Sequence, residues 1–327
     1  MGICLPVFAL IRNGIFAEFC FGQKHFIAGR IYYYMERILK YIHASAAYRL
    51  GIFGQGILVA VLDTGIYPHA DLQGRMAGFR DYIRQRPQPY DDNGHGTHIS
   101  GIIGAGGKGA IHGVAPGCYL WSCKVLDKNG NGKIQDTCQA VEDIVAYNQK
   151  HTQKIRIMNI SVGMLERVQP ELQKRLLHSV EHAWDQGIVV LAAAGNNGPG
   201  EHTVTSPGTS RKIITVGSLD SCSESKRELS LYSGRGPTES CVVKPEILMP
   251  GTDIISCGTR QGSYVKKSGT SMAVPIVSGI IALLLSKDPS LTPNEVKLQL
   301  YRSADRTGID RRIKCWGTID LRKLLSI

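Results

Sequence analysis

Five apolar runs that lack polar alternation constrain this chain most. Ile57–Leu62, Tyr119–Val125, Ile155–Ile160, Ile188–Ala193 and Ile213–Val216 are rich in β-branched residues. A strand with one wet face alternates polar and apolar side chains, whereas a strand covered on both faces does not; such strands belong to parallel sheets packed between helices. The stretches between the runs agree. Around 133–150 and 170–186 apolar residues recur at helical spacing, as in Leu172, Leu176, Val180 and Ala183, with Pro170 near the start and Gly187 just past the end. A third helix is expected from Ser271 to about Lys287, and a fourth after Thr292-Pro293. Strand-like and helix-like segments thus alternate from about Met35 onward, which predicts an α/β fold of βαβ units.

With 327 residues, 43% of them hydrophobic, the chain can bury one large core. The formal net charge of +11 invites an acidic partner, but the densest basic clusters are pairs such as Lys266-Lys267 and Arg311-Arg312. A solvated basic surface is expected, and no finger, helix-turn-helix or ribonucleoprotein pattern argues for nucleic acid. Nine cysteines, at 4, 20, 118, 123, 138, 222, 241, 257 and 315, form no C-x-x-C pair and no Cys/His cluster with zinc-ligand spacing. Free thiols, a cytoplasmic location and no bound metal are therefore expected. Ile3–Ile11 is apolar but follows no positive side chain, so secretion is the weaker expectation. No uninterrupted apolar run reaches the roughly 20 residues of a membrane span, and no membrane partner is expected.

Three short segments carry chemistry. Val61-Leu62-Asp63-Thr64-Gly65 puts a carboxylate where an apolar strand ends, the edge at which open parallel sheets bind ligands. Alone, such an Asp is more often a turn residue. Asn93-Gly94-His95-Gly96-Thr97-His98 flanks an imidazole with glycines that leave room for a substrate to approach. His98 is expected to be a packed or surface histidine. Gly269-Thr270-Ser271-Met272-Ala273-Val274-Pro275 sets a hydroxyl at the start of an apolar helix, where Ser271 is either an N-cap or a nucleophile. A serine hydroxyl needs a base, and the resulting imidazolium needs an oriented anion; Asp63, His95 and Ser271 supply those three roles.

Their order and flanking residues resemble the subtilisin family of serine peptidases, closest in character to its intracellular bacterial members. The resemblance includes Gly113-Val-Ala-Pro116, Lys124-Val-Leu126, Asn159-Ile-Ser-Val-Gly163, Ala193-Ala-Gly-Asn196, Ser206-Pro207, Ser233-Gly-Arg-Gly-Pro237 and Pro250-Gly251. It implies a three-layer sandwich with a mostly parallel sheet flanked by helices, and a serine endopeptidase acting through an acyl-enzyme. Asp63, His95 and Ser271 then form the catalytic triad, and Asn196 is the oxyanion donor. Polypeptide substrates are implied, their main chain pairing with Gly130, Asn131, Gly132 and with Ser161, Val162, Gly163. Ala194, Gly195 and Thr205 line the primary specificity pocket. The resemblance spans about residues 41–325, so a leader, 1–40, and one peptidase domain, 41–327, are expected.

Departures and decoys narrow the expectation. The family often binds calcium in the loop after the histidine helix, yet Gly106-Gly-Lys-Gly-Ala-Ile-His112 offers no Asn or Asp; no cofactor is expected to be required, and Asp71, which stands where the family often has a calcium-ligating Asp, keeps a weaker calcium site open. Asp127-Lys-Asn129-Gly-Asn131-Gly132 imitates an EF-hand start but has Cys138 where the bidentate Glu belongs. Gly104-Ala-Gly106-Gly-Lys-Gly109 matches a dinucleotide fingerprint yet follows a helix instead of a strand. A non-catalytic peptide binder would not need all four of Asp63, His95, Asn196 and Ser271, and an esterase of the G-x-S-x-G type lacks its elbow here.

Overall fold

The computed structural model describes residues 35–161, 163, 170–220, 228–241 and 243–326. Seven strands form the main sheet: β1 (Leu58–Asp63), β2 (Met76–Asp81), β3 (Tyr119–Lys124), β4 (Ile155–Ile160), β5 (Val189–Ala193), β6 (Ile214–Leu219) and β7 (Ile247–Pro250). They lie in the order β2-β3-β1-β4-β5-β6-β7, and every pairing is parallel. The five expected runs are the five central strands. The two edge strands escaped the sequence pattern because β2 is only partly buried and Pro250 ends the four-residue β7. A separate hairpin, β8 (Ile254–Cys257) with β9 (Tyr264–Lys267), leads directly to Ser271.

Helices α1 (Ala44–Arg49), α2 (His95–Gly104), α3 (Ile134–Lys150), α4 (Pro170–Asp185), α5 (Thr270–Lys287) and α6 (Pro293–Ser303) follow. α2 packs on α5, α3 packs on α4, and each pair also contacts the sheet, completing the three-layer sandwich. α5 buries fifteen of its eighteen residues, from Met272 to Leu285 among them, because it is apolar on every side. By length and composition it would cross a membrane, but 89% of that window lies inside the protein. It is a core helix. Each fully buried Leu or Ile side chain on it contributes about 1.5–3 kcal/mol relative to exposure.

The core reaches further toward the N-terminus than the expected boundary at residue 40. Residues 35–41 are helical, and Met35 and Ile38 are buried in the same apolar cluster as Ile42 and Leu58. The apolar spacing of Met35, Ile38 and Ile42 is the signal that places them. Residues 1–34 lie outside the described residues.

Candidate active site

β1 delivers Asp63 fully buried at its C-terminal end, where Thr64 N–H donates to Oδ1 at 2.7 Å. His95 opens α2, and its Nδ1 donates to Asp63 Oδ1 at 2.8 Å and Oδ2 at 2.9 Å. Nε2 is left as the acceptor. Burial disfavours the charged ring, but the Asp63 charge and hydrogen bond outweigh it, so the His95 pKa is raised above the ordinary imidazole value. The glycines beside His95 meet local demands of space and backbone angle. A Cβ on Gly96 would lie 2.2 Å from the Gly65 carbonyl, and Gly94 takes φ +97° to start the helix. Without side chains there, α2 can touch the turn that carries Asp63.

Two further residues hold this pair and were not singled out by the sequence. Asp91 Oδ1 accepts from Thr64 Oγ1, Asn93 N and Gly94 N, while Oδ2 accepts from Thr97 N and Oγ1. Thr64 Oγ1 in turn accepts from Gly96 N at 2.9 Å. The Asp63 turn and the first turn of α2 are thus pinned to one carboxylate. The signal was present in Asp91-Asp-Asn-Gly94, a run of residues that bond their own local backbone.

Ser271 is the second residue of α5, whose N-cap is Gly269, so the N-cap role belongs to another residue. Its hydroxyl donates to the Ser161 carbonyl at 2.7 Å. Ser161 follows β4, the neighbour of β1, so Ser271 lies at the same end of the sheet as Asp63. Asn196 is exposed just past β5, and its Oδ1 accepts from Thr270 N at 3.0 Å and Thr270 Oγ1 at 3.1 Å. With the carbonyl end so held, the amide Nδ2 is the group turned outward as a donor; a Cβ on Gly269 would come within 3.2 Å of it.

The expected substrate segments leave the same edge of the sheet on either side of β1. Gly130, Asn131 and Gly132 are exposed in a loop closed by Asp127, whose Oδ1 accepts from Asn129 N and Asn131 N. That carboxylate organises a turn, which accounts for the EF-hand likeness. Ser161 is buried, Gly163 faces Thr205, and Val162 lies outside the described residues. Thr205 stands between two walls: a Cβ on Gly163 or on Gly195 would meet its Oγ1 at 2.3 or 2.6 Å. Its backbone N–H is held by the Ala194 carbonyl at 3.0 Å.

His98 is buried, and its Nε2 donates to the carbonyls of Ile254 and Val265, both at 3.1 Å. Burial above all, then the His95 charge, pushes its pKa down to about 3. It is a packed, neutral histidine. The fold also gathers His69, Asp71 and Cys257, all buried, with one ligand atom of each within 4.8 Å of the others. Sequence spacing could not reveal this group, because Cys257 arrives from the β8–β9 hairpin. Asp71 accepts from Gly109 N at 2.5 Å, Ala110 N at 3.3 Å and Tyr264 Oη at 2.6 Å, and His69 Nδ1 accepts from Asp71 N. Calcium does not fit a carboxylate ringed by N–H and O–H donors. The loop that follows α2 is tied to Asp71 directly.

A carboxylate-oriented imidazole, a serine on the first turn of an apolar helix and an anchored amide define the class of Ser-His-Asp nucleophile sites. Residues 54–317 match the Subtilase family. The chain is 45% identical to serine protease AprX of Bacillus subtilis (strain 168), covering 81% of this chain and 65% of AprX. It therefore spans less than two thirds of that relative's length. Subtilisin Savinase of Lederbergia lenta is 34% identical over 82% of this chain and 90% of its own. Among solved structures, Sphericase superposes with a TM-score of 0.68 at 30% identity, over 77% of this chain and 84% of its own. This chain belongs to the subtilase family.

Proposed function

We propose that this protein is a serine endopeptidase in which Asp63, His95 and Ser271 act as triad and Asn196 as oxyanion donor. The observation that carries the proposal is the His95 Nδ1 hydrogen bond to both oxygens of buried Asp63. It fixes the tautomer whose Nε2 takes the Ser271 proton and later returns it to the leaving amine, while Asp63 stabilises the imidazolium. Ser271 attacks the scissile carbonyl, and the oxyanion meets Asn196 Nδ2 and the Ser271 N–H at the positive end of α5. Water then resolves the acyl-enzyme. Substrate main chain adds as a strand to Gly130–Gly132 and Ser161–Gly163, which gives broad sequence tolerance. Covalent labelling by a fluorophosphonate, mapped by mass spectrometry, tests the assignment: the adduct is expected on Ser271, and an adduct elsewhere removes Ser271 as nucleophile.

Thr205 narrows the primary pocket in this proposal and favours medium-sized over aromatic side chains before the scissile bond. Peptide-library cleavage by Thr205→Gly is expected to gain for Phe and Tyr; no gain would place Thr205 outside the pocket. The proposal extends to a cytoplasmic enzyme that needs no cofactor, nucleic acid or membrane. Free thiols at Cys118, Cys123, Cys138, Cys241, Cys257 and Cys315 support the reducing compartment, and activity should survive dithiothreitol. The donors around Asp71 support independence from calcium. A chelator is expected to leave the melting temperature unchanged, whereas Tyr264→Phe, which removes one donor to Asp71, lowers stability by about 1–3 kcal/mol. A large chelator-induced drop in melting temperature would reverse that conclusion.

A further inference from the structure

Lys124 ends β3 with its side chain fully buried. An ammonium out of water persists where its charge and all three N–H donors are met. Nζ donates to the Thr64 carbonyl at 2.6 Å, the Leu126 carbonyl at 2.8 Å and Asp92 Oδ1 at 2.7 Å, and lies 5.0 Å from the centre of the Tyr90 ring. Each acceptor comes from a different part of the site. Thr64 is in the turn after Asp63, Asp92 lies in the loop that enters α2 at His95, and Leu126 leads into the loop of Gly130–Gly132. Lys124 is also the register partner of Asp63 across β1 and β3.

We propose that Lys124 is a positioning residue for catalysis: it sets the Asp63 turn, the approach to His95 and the substrate loop in fixed relation, and balances the negative charge around His95. The proposal rests on the triad assignment above. Asp63 and Asp91 favour the imidazolium, Lys267 on β9 opposes it, and His98, one turn along α2, is neutral and does neither. Asp92 and Lys124 add a pair that cancels as long as both are present. Removing Lys124 leaves the Asp92 charge uncompensated and favours the imidazolium, whereas removing Asp92 leaves the Lys124 charge and disfavours it. The base must be neutral, so the acid limb of kcat/KM follows these changes with opposite signs.

The experiment compares the full chain with K124M, K124R and D92N on a fluorogenic peptide, with active sites counted by fluorophosphonate titration. For K124M the acid limb is expected to rise by about 0.5–1 pH unit. Its kcat should fall about 10-fold or more as the triad loosens, and KM should rise as the Leu126 carbonyl loses its donor. D92N, at an exposed position, is expected to move the limb downward by less, and K124R to keep it near that of the parent while kcat falls. Limbs that stay put, or that move the same way in K124M and D92N, overturn the role of Lys124 even if melting temperatures drop. If K124M does not fold, an unmoved limb in D92N overturns it alone. A parent chain that takes no label at Ser271 overturns the triad and this proposal together; normal labelling with unmoved limbs overturns only Lys124.

Discussion

Replacing Ser271 by Ala is expected to abolish fluorophosphonate labelling and reduce peptide hydrolysis by about 10⁶-fold, a magnitude taken over from subtilisin itself. The loss should equal that of removing the whole triad, because His95 has no proton to accept once the hydroxyl is gone. Folding should be spared. Ser271 is half-buried and its hydroxyl makes a single hydrogen bond, to Ser161, whose net contribution is about 1 kcal/mol. Circular dichroism and melting temperature of the variant should therefore match the parent. Residual turnover above a hundredth of the parent rate would mean that another group acts as nucleophile.

Asn196→Ala should lower kcat by about 10²–10³-fold, or about 2.7–4 kcal/mol, with KM little changed; this range is the one known for the equivalent asparagine of subtilisin. Thr270 fixes the carbonyl end of the side chain, which leaves Nδ2 as its donor end. In the proposed role that donor meets charge that develops only in the transition state, so the effect belongs to turnover. Asn196→Asp removes the donor yet keeps the shape, and should be as slow as Ala. A defect confined to KM would make Asn196 a substrate-binding residue instead of an oxyanion donor.

The sheet was legible because both of its faces are covered: β1, β3, β4, β5 and β6 read as unbroken apolar runs. Edge strands β2 and β7 were not, since a partly exposed strand, or a short one that ends in proline with a single β-branched residue, leaves no such run. At the site, Asp63, His95, Ser271 and Asn196 stood out through their flanking residues. Thr64 and the bonds made by Lys124 did not, because their partners lie up to sixty residues away and a hydrogen bond across that distance leaves no local periodicity, while Asp91, whose partners are mostly local, read as an ordinary turn residue. The same holds for Gly96, whose need for close backbone approach appears only once Gly65 faces it.

If the proposed peptidase activity holds, the ring of donors around Asp71 bears on how long the protein survives among its own copies. Self-digestion begins at surface loops that open far enough to enter a neighbour's cleft as an extended strand. The loop after α2 is rich in glycine and exposed in part, the composition most prone to such opening. Here its closure depends on Gly109 and Ala110 N–H groups and on Tyr264, all covalently part of the chain, so their local concentration stays the same on dilution and in the presence of metal-binding metabolites. Autolytic half-life should accordingly be insensitive to free calcium and be set by the rate at which Tyr264 and Asp71 separate.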